Sequence, residues 1–191
     1  MKKLDAKNYL QSIGDRTHLK KIAVLSAHQW LIRDLTRKKP KVWRSNGALV
    51  YRDKKYDFLV CLPGAPMAMI IVEEMIATGV KEIIYLGTGA GLRKQPSGTF
   101  LENPRVISVL NPYSEQKDVD WLKIEKENIE IIDMEAEYLI RLAKERKINL
   151  YVGLIVTDHV SKNKWEPLVK DNKYKDRNRT SINSIKTKFK I

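Results

Sequence analysis

The stretch Glu82-Ile83-Ile84-Tyr85-Leu86-Gly87-Thr88-Gly89-Ala90-Gly91 reads as a short β-rich run, Glu82 to Leu86, that stops at a glycine loop, Gly87 to Gly91. Branched and aromatic side chains suit a pleated, half-buried surface, whereas glycines tolerate the backbone angles of a turn. Immediately upstream, Pro66 suits the first turn of a helix and Met67 to Thr78 continue it with an apolar face. Gly79 then stands where a left-handed C-terminal cap is wanted. Before that helix, Asn46 to Tyr51 and Phe58 to Leu62 read as two strands joined by the polar turn Arg52-Asp53-Lys54-Lys55, in the manner of a hairpin.

Working outward, Leu19 to Leu35 carries apolar residues at mostly helical spacing. Helix is the favoured reading there, although Ile22 to Leu25 alone would pass for a strand. Downstream, Val106 to Leu110 reads as a strand, Val119 to Lys126 as a helix and Ile129 to Ile132 as another strand. Met134 to Lys147 is helical, with Ala136, Leu139, Ile140 and Ala143 on one face. Leu150 to Val156 is a nearly all-apolar central strand that ends at Thr157-Asp158-His159. From Ser161 the tail is basic, and Ile182, Ile185 and Phe189 fit one last amphipathic helix. Strands alternating with helices predict a three-layer α/β/α fold around a central mixed sheet.

With 191 residues and no linker or repeat, residues 1–191 read as one domain with a basic tail from about 161. Cys61 is the only cysteine, so neither an intramolecular disulfide nor a cysteine-based zinc cluster can form, and the reading is cytoplasmic. The longest apolar stretch, Phe58 to Val72, is broken by Pro63, Gly64 and Pro66, which argues against a membrane span. The formal charge of +13 is concentrated at the two ends. A solvated lysine-rich surface is the favoured reading; a local potential for phosphate comes next, and nucleic acid, for which no binding motif appears, comes last.

In open α/β sheets, ligands bind beyond the carboxyl ends of strands, which places Gly87 to Gly91 and Thr157 to His159 in the candidate site. Glycine amides around Thr88 would make a phosphate cradle; the competing reading is a tight turn that needs positive φ. The segment matches neither the dinucleotide fingerprint nor a Walker loop, because Leu92 stands where a third glycine would be and no Gly-Lys-Ser/Thr follows.

Several segments, taken in order, resemble the nucleoside phosphorylase family. Gly64-Ala65-Pro66, Val72-Glu73-Glu74-Met75 and Gly87-Thr88-Gly89-Ala90-Gly91 are similar to its Gly-Gly-Pro, Val-Glu-Glu-Leu and Gly-Thr-Cys/Ser-Gly segments. Asp133-Met134-Glu135-Ala136 resembles its Met-Glu-Ala/Thr ribose motif, and Val156-Thr157-Asp158-His159 its Val-Ser-Asp-His segment. Gly14 to Ala23 lies along the Gly-Asp-Pro-x-Arg phosphate loop. The resemblance implies a phosphorylase/hydrolase-like fold and cleavage of a nucleoside's N-glycosidic bond. Phosphate would be the co-substrate, with no cofactor and no metal, in a homo-oligomer.

Residue by residue, it implies that Gly14, Gly87 and Thr88 contact phosphate, with His18 in the loop where the family has arginine and Arg44 in place of an arginine contributed across an interface. Met134 and Glu135 would hold ribose, because a carboxylate accepts two vicinal hydroxyls at once. Asp158 would be the acid that protonates the departing base. Gly89 would line the base site, with either Arg177 or Arg179 contacting the base. Without the resemblance, Glu135 reads as an acid favouring a helix N-terminus, and Asp158 as a loop or cap residue. Tyr85 also stands where the family has a phosphate-binding arginine, and the chain between Phe100 and Tyr113 is shorter than in typical members. A non-catalytic nucleoside- or nucleotide-binding relative and a nucleoside hydrolase are the alternatives these departures leave open.

Overall fold

The computed structural model describes residues 5–13, 18–36, 41–42, 48–92, 95–110, 119–167 and 173–191. In chain order the elements are α1 (Ala6–Ser12), β1 (Ile22–Ser26), α2 (Gln29–Thr36), β2 (Lys41–Val42), β3 (Leu49–Arg52), β4 (Asp57–Val60) and α3 (Ala65–Ala77). They continue with β5 (Glu82–Gly91), β6 (Phe100–Glu102), β7 (Val106–Ser108), α4 (Trp121–Glu127), β8 (Ile131–Asp133), α5 (Ala136–Arg146), β9 (Asn149–Ser161), β10 (Lys164–Pro167) and α6 (Tyr174–Phe189).

The sheet runs β10-β9-β5-β1-β4-β3-β2. Strands β9, β5, β1 and β4 are parallel, while β10, β3 and β2 join antiparallel. It is a mixed sheet with helices on both faces. On one face α3 and α5 bury Ala68, Ile71, Met75, Leu139 and Leu142 against Leu25, Leu59, Ile83, Tyr85 and Val152. On the other, α2 and α6 bury Leu31, Ile32, Ile182 and Ile185 against Val24, Phe58, Ile84, Leu86 and Ile155. The alternation of these strand residues between faces follows from the two-residue period of a strand, and each such side chain contributes about 1.5–3 kcal/mol on burial.

Three expectations about local structure are corrected. The Leu19 to Leu35 stretch divides into strand β1 and helix α2, because Ala23, Val24 and Leu25 are all fully buried between β4 and β5, an environment that a surface helix does not provide. Gly87 to Gly91 are not a loop: β5 continues through them and pairs with β9 as far as His159. Their amides therefore belong to a sheet ladder and form no anion nest, and the positive-φ glycines among the described residues are Gly64, Gly79 and Gly98. β9 likewise does not end at Thr157 but continues to Ser161 and returns through β10.

Close approach explains the glycines instead. A Cβ on Gly89 would lie 2.5 Å from the Ile132 carbonyl oxygen, where β8 crosses onto β5, and one on Gly87 would lie 2.8 Å from the Tyr85 hydroxyl. At the end of α3 the predicted cap holds, with Gly79 at φ 104° and the Gly79 and Val80 amides donating to Ile76 and Met75.

Candidate functional site

The β5–β9 pairing contains a register shift: Gly89 pairs with Val156 and Ala90 with Asp158, leaving Thr157 as an extra residue. Such a bulge re-aims side chains that strict alternation would send to opposite faces. Thr157 and Asp158 both line one cavity as a result. The Thr157 hydroxyl donates to Asp158 Oδ2 at 2.9 Å. Burial pushes the Asp158 carboxyl above the usual carboxylate range, against the opposing pull of Thr157, Trp165 and His159.

The cavity, about 130 Å³, lies at the carboxyl ends of β1, β4 and β5, as the rule for α/β sheets predicts. Its lining includes His28, Thr88, Gly89, Asp133, Met134, Glu135, Asp158 and Trp165. Glu135 is only 4% exposed, and its two oxygens are held separately: Gly64 N–H donates to Oε1 at 2.6 Å, and the Tyr85 hydroxyl to Oε2 at 2.8 Å. Gly64 precedes α3 at φ 110°, a conformation that glycine adopts without the Cβ penalty. An ionised carboxylate has about four acceptor positions, so these two bonds leave room for a pair of hydroxyls.

The helix-favouring role considered for Glu135 belongs to Asp133. Its Oδ2 accepts the Ala136 amide at 2.7 Å and the Glu135 amide at 3.2 Å, and Ser108 Oγ donates to Oδ1 at 2.5 Å. A reciprocal pair completes the start of α5: Glu137 N–H donates to Ser108 Oγ, and Ser108 N–H to Glu137 Oε2. Burial raises the Asp133 carboxyl to about 7, with nearby Glu135 acting in the same direction. Asp158, for its part, is neither a loop nor a cap residue but a strand residue at a bulge.

Thr88, Gly89, Met134, Glu135 and Asp158 thus meet at one cavity, while the other expected residues do not join them. His18 is exposed ahead of β1, with its carbonyl accepting from Arg52, at the amino-terminal end of the sheet. It cannot reach the cavity across the length of β1, so the alignment of the phosphate loop with this segment fails at His18. Gly14 and Arg44 lie outside the described residues. Gly87 faces Tyr85, and Tyr85 is fully buried and bonded to Glu135, which removes it from any role as a ligand-facing substitute for arginine.

Arg177 is bound to the Ser97 carbonyl (2.5 Å) and hydroxyl (2.7 Å), pinning α6 to the 95–99 segment, and Arg179 is exposed on α6. Neither lines the cavity. Sequence reading missed His28, whose Nε2 lies 2.9 Å from Thr88 Oγ1, and Asp133 and Trp165. The signal for His28 was present: it follows β1 directly, at a strand's carboxyl end. A larger hollow of about 610 Å³ between α4 and the β9–β10 turn has, among the described residues, only the exposed Lys162–Glu125 pair as charged lining.

This architecture is that of the purine and uridine phosphorylases and the related nucleosidases. Among solved structures, a uridine phosphorylase from Vibrio fischeri complexed with 6-hydroxy-1-naphthoic acid matches with TM-score 0.67 at 14% identity, over 92% of this chain and 93% of its own. Purine nucleoside phosphorylase from Toxoplasma gondii in complex with immucillin-H matches at 0.64 and 14%, over 86% and 88%. The 5′-methylthioadenosine/S-adenosylhomocysteine nucleosidase from Helicobacter pylori with butyl-thio-DADMe-Immucillin-A matches at 0.65 and 13%, over 90% and 98%. No protein-family model and no curated protein sequence matches the chain. No helix among the described residues is long and apolar enough to cross a membrane.

Proposed function

We propose that the protein cleaves the N-glycosidic bond of a nucleoside. The observation that carries this reading is the convergence of Glu135, Met134, Thr88 and Asp158, from three separate stretches of chain, on one cavity in a fold shared with nucleoside phosphorylases and nucleosidases. A cavity of about 130 Å³ is smaller than the roughly 300 Å³ at which small-molecule sites begin, so it suits the sugar, with the base at the mouth beside Asp158 and Trp165.

In this reading Glu135 accepts the 2′ and 3′ hydroxyls, and its orientation is fixed beforehand by Gly64 and Tyr85. Asp158, with its carboxyl raised by burial, holds a proton closer to neutrality than a free aspartate and delivers it to the departing base nitrogen. Thr88 faces the nucleophile, phosphate or water. A homo-oligomer is part of the same proposal.

The test is base release from a panel of purine and pyrimidine nucleosides, followed by chromatography. Asp158→Asn should lower turnover about a hundredfold with a smaller change in nucleoside affinity. Equal turnover by the two proteins would remove Asp158 from the reaction. Nucleoside binding without base release in any arm would favour a non-catalytic binding protein.

A further inference from the structure

His28 is fixed more firmly than a surface histidine requires. Its amide donates to Ser26 Oγ at 3.0 Å, its carbonyl accepts the Leu31 amide at 3.1 Å at the start of α2, and its ring packs tilted against Trp30. The ring ends on Thr88 Oγ1, and both residues line the cavity that holds Glu135 and Asp158. Resting on the glycosidic-cleavage reading, we propose that His28 and Thr88 form a base relay that activates water, so that the reaction is hydrolysis and not phosphorolysis.

Two observations favour water. His28 shares the cavity with the acidic residues Asp133, Glu135 and Asp158, and no lysine or arginine is among the described lining residues. Glu135, whose charge acts on the His28 ring, opposes a phosphate anion beside it but tolerates a neutral water molecule. Second, phosphate arrives already ionised and gains nothing from a base, whereas water must lose a proton. An imidazole hydrogen-bonded to a cavity-facing hydroxyl provides the route. Burial holds the His28 ring below its ordinary range, outweighing the opposite effect of Glu135, which keeps the imidazole in the neutral form a base requires.

The step balances as follows. The water oxygen bonds to C1′ as the C1′–N bond breaks, and the bonding pair goes to the base nitrogen, which takes the Asp158 proton. The water proton passes to Thr88 Oγ1 while the Thr88 hydroxyl proton moves to His28 Nε2. Solvent then returns a proton to Asp158 and removes one from His28.

The experiment follows product identity by ¹H and ³¹P NMR for a cleaved nucleoside, with and without inorganic phosphate. The expected result is free sugar in both arms at the same rate. His28→Gln keeps a polar contact to Thr88 but cannot act as base, so kcat should fall about a hundredfold while KM stays nearly constant. Thr88→Val should show a similar loss, and the double variant should be no worse than either single one, as for residues acting as a unit. In wild type kcat should fall as pH drops through the His28 titration below about 6.5, and His28→Gln should lack that limb. Nucleoside affinity by calorimetry verifies that each variant is folded. Sugar 1-phosphate formed only when phosphate is present, or undiminished kcat in His28→Gln, would overturn the relay while leaving glycosidic cleavage intact. Binding without cleavage in every arm would overturn both readings.

Discussion

Glu135 and Asp133 stand two residues apart, and the fold gives them different work. Glu135 meets Gly64 and Tyr85, while Asp133 closes the start of α5. Glu135→Gln replaces one acceptor oxygen with an amide that cannot accept from Gly64 or Tyr85. It should cost about 1–3 kcal/mol of stability in a urea titration and lower nucleoside affinity in calorimetry. Wild-type affinity in the folded variant would remove Glu135 from the sugar site. Asp133 makes a separate prediction about pH. Its carboxyl titrates near 3.8 when unfolded and is raised to about 7 by burial, so the folded form holds the extra proton between those values. Stability from this group therefore falls as pH rises through that window. Asp133→Asn removes the titration, and the difference in Tm between about pH 5 and about pH 8 should shrink.

Strand β5 and helix α6 carry the predictions that belong to elements. Because β8 crosses β5 at Gly89, Gly89→Ala drives a methyl group against the Ile132 carbonyl at 2.5 Å, and backbone must move to relieve it. A loss of about 1–3 kcal/mol is expected in chemical denaturation, with the β5–β8 pairing disturbed. Helix α6 is attached at its start by Arg177 to Ser97 and at its end by the Tyr56 hydroxyl to the Phe189 carbonyl at 2.7 Å. Between them Ile182 and Ile185 cover the sheet. Arg177→Ala should lower Tm and leave nucleoside affinity unchanged; a selective loss of affinity would restore the base-contact role that its position argues against.

Over the whole molecule, folding and binding are linked. A nucleoside that occupies the cavity only in the folded state stabilises it by about 2.7 kcal/mol at a concentration of a hundred times Kd. For a chain of this length that corresponds to a rise in Tm of roughly 5–10 °C, which differential scanning fluorimetry can follow across a nucleoside panel. The charged surface contributes differently. Pairs such as Lys162–Glu125 and Lys123–Glu137 are exposed or partly exposed, and each is worth at most about 1 kcal/mol, so added salt should change stability little.

Much of the architecture was legible because periodicity reports which face an element buries. The apolar runs at Ile83 to Leu86 and Leu150 to Val156 are sheet core, and the Gly79 cap ends its helix as expected. The ordered motifs also named Thr88, Gly89, Met134, Glu135 and Asp158 before any geometry was known, and the fold brings these five to one cavity. Periodicity could not show that β5 runs on through its glycines, since that depends on β8 and β9 pairing with it from distant sequence. Nor could it show the bulge at Thr157, the capture of Tyr85 by Glu135, or the contact between His28 and Thr88. A sequence pattern records each residue's own preference for apolar or polar surroundings. Register and hydrogen-bond partners are properties of pairs, and only the packed tertiary structure selects the pairs.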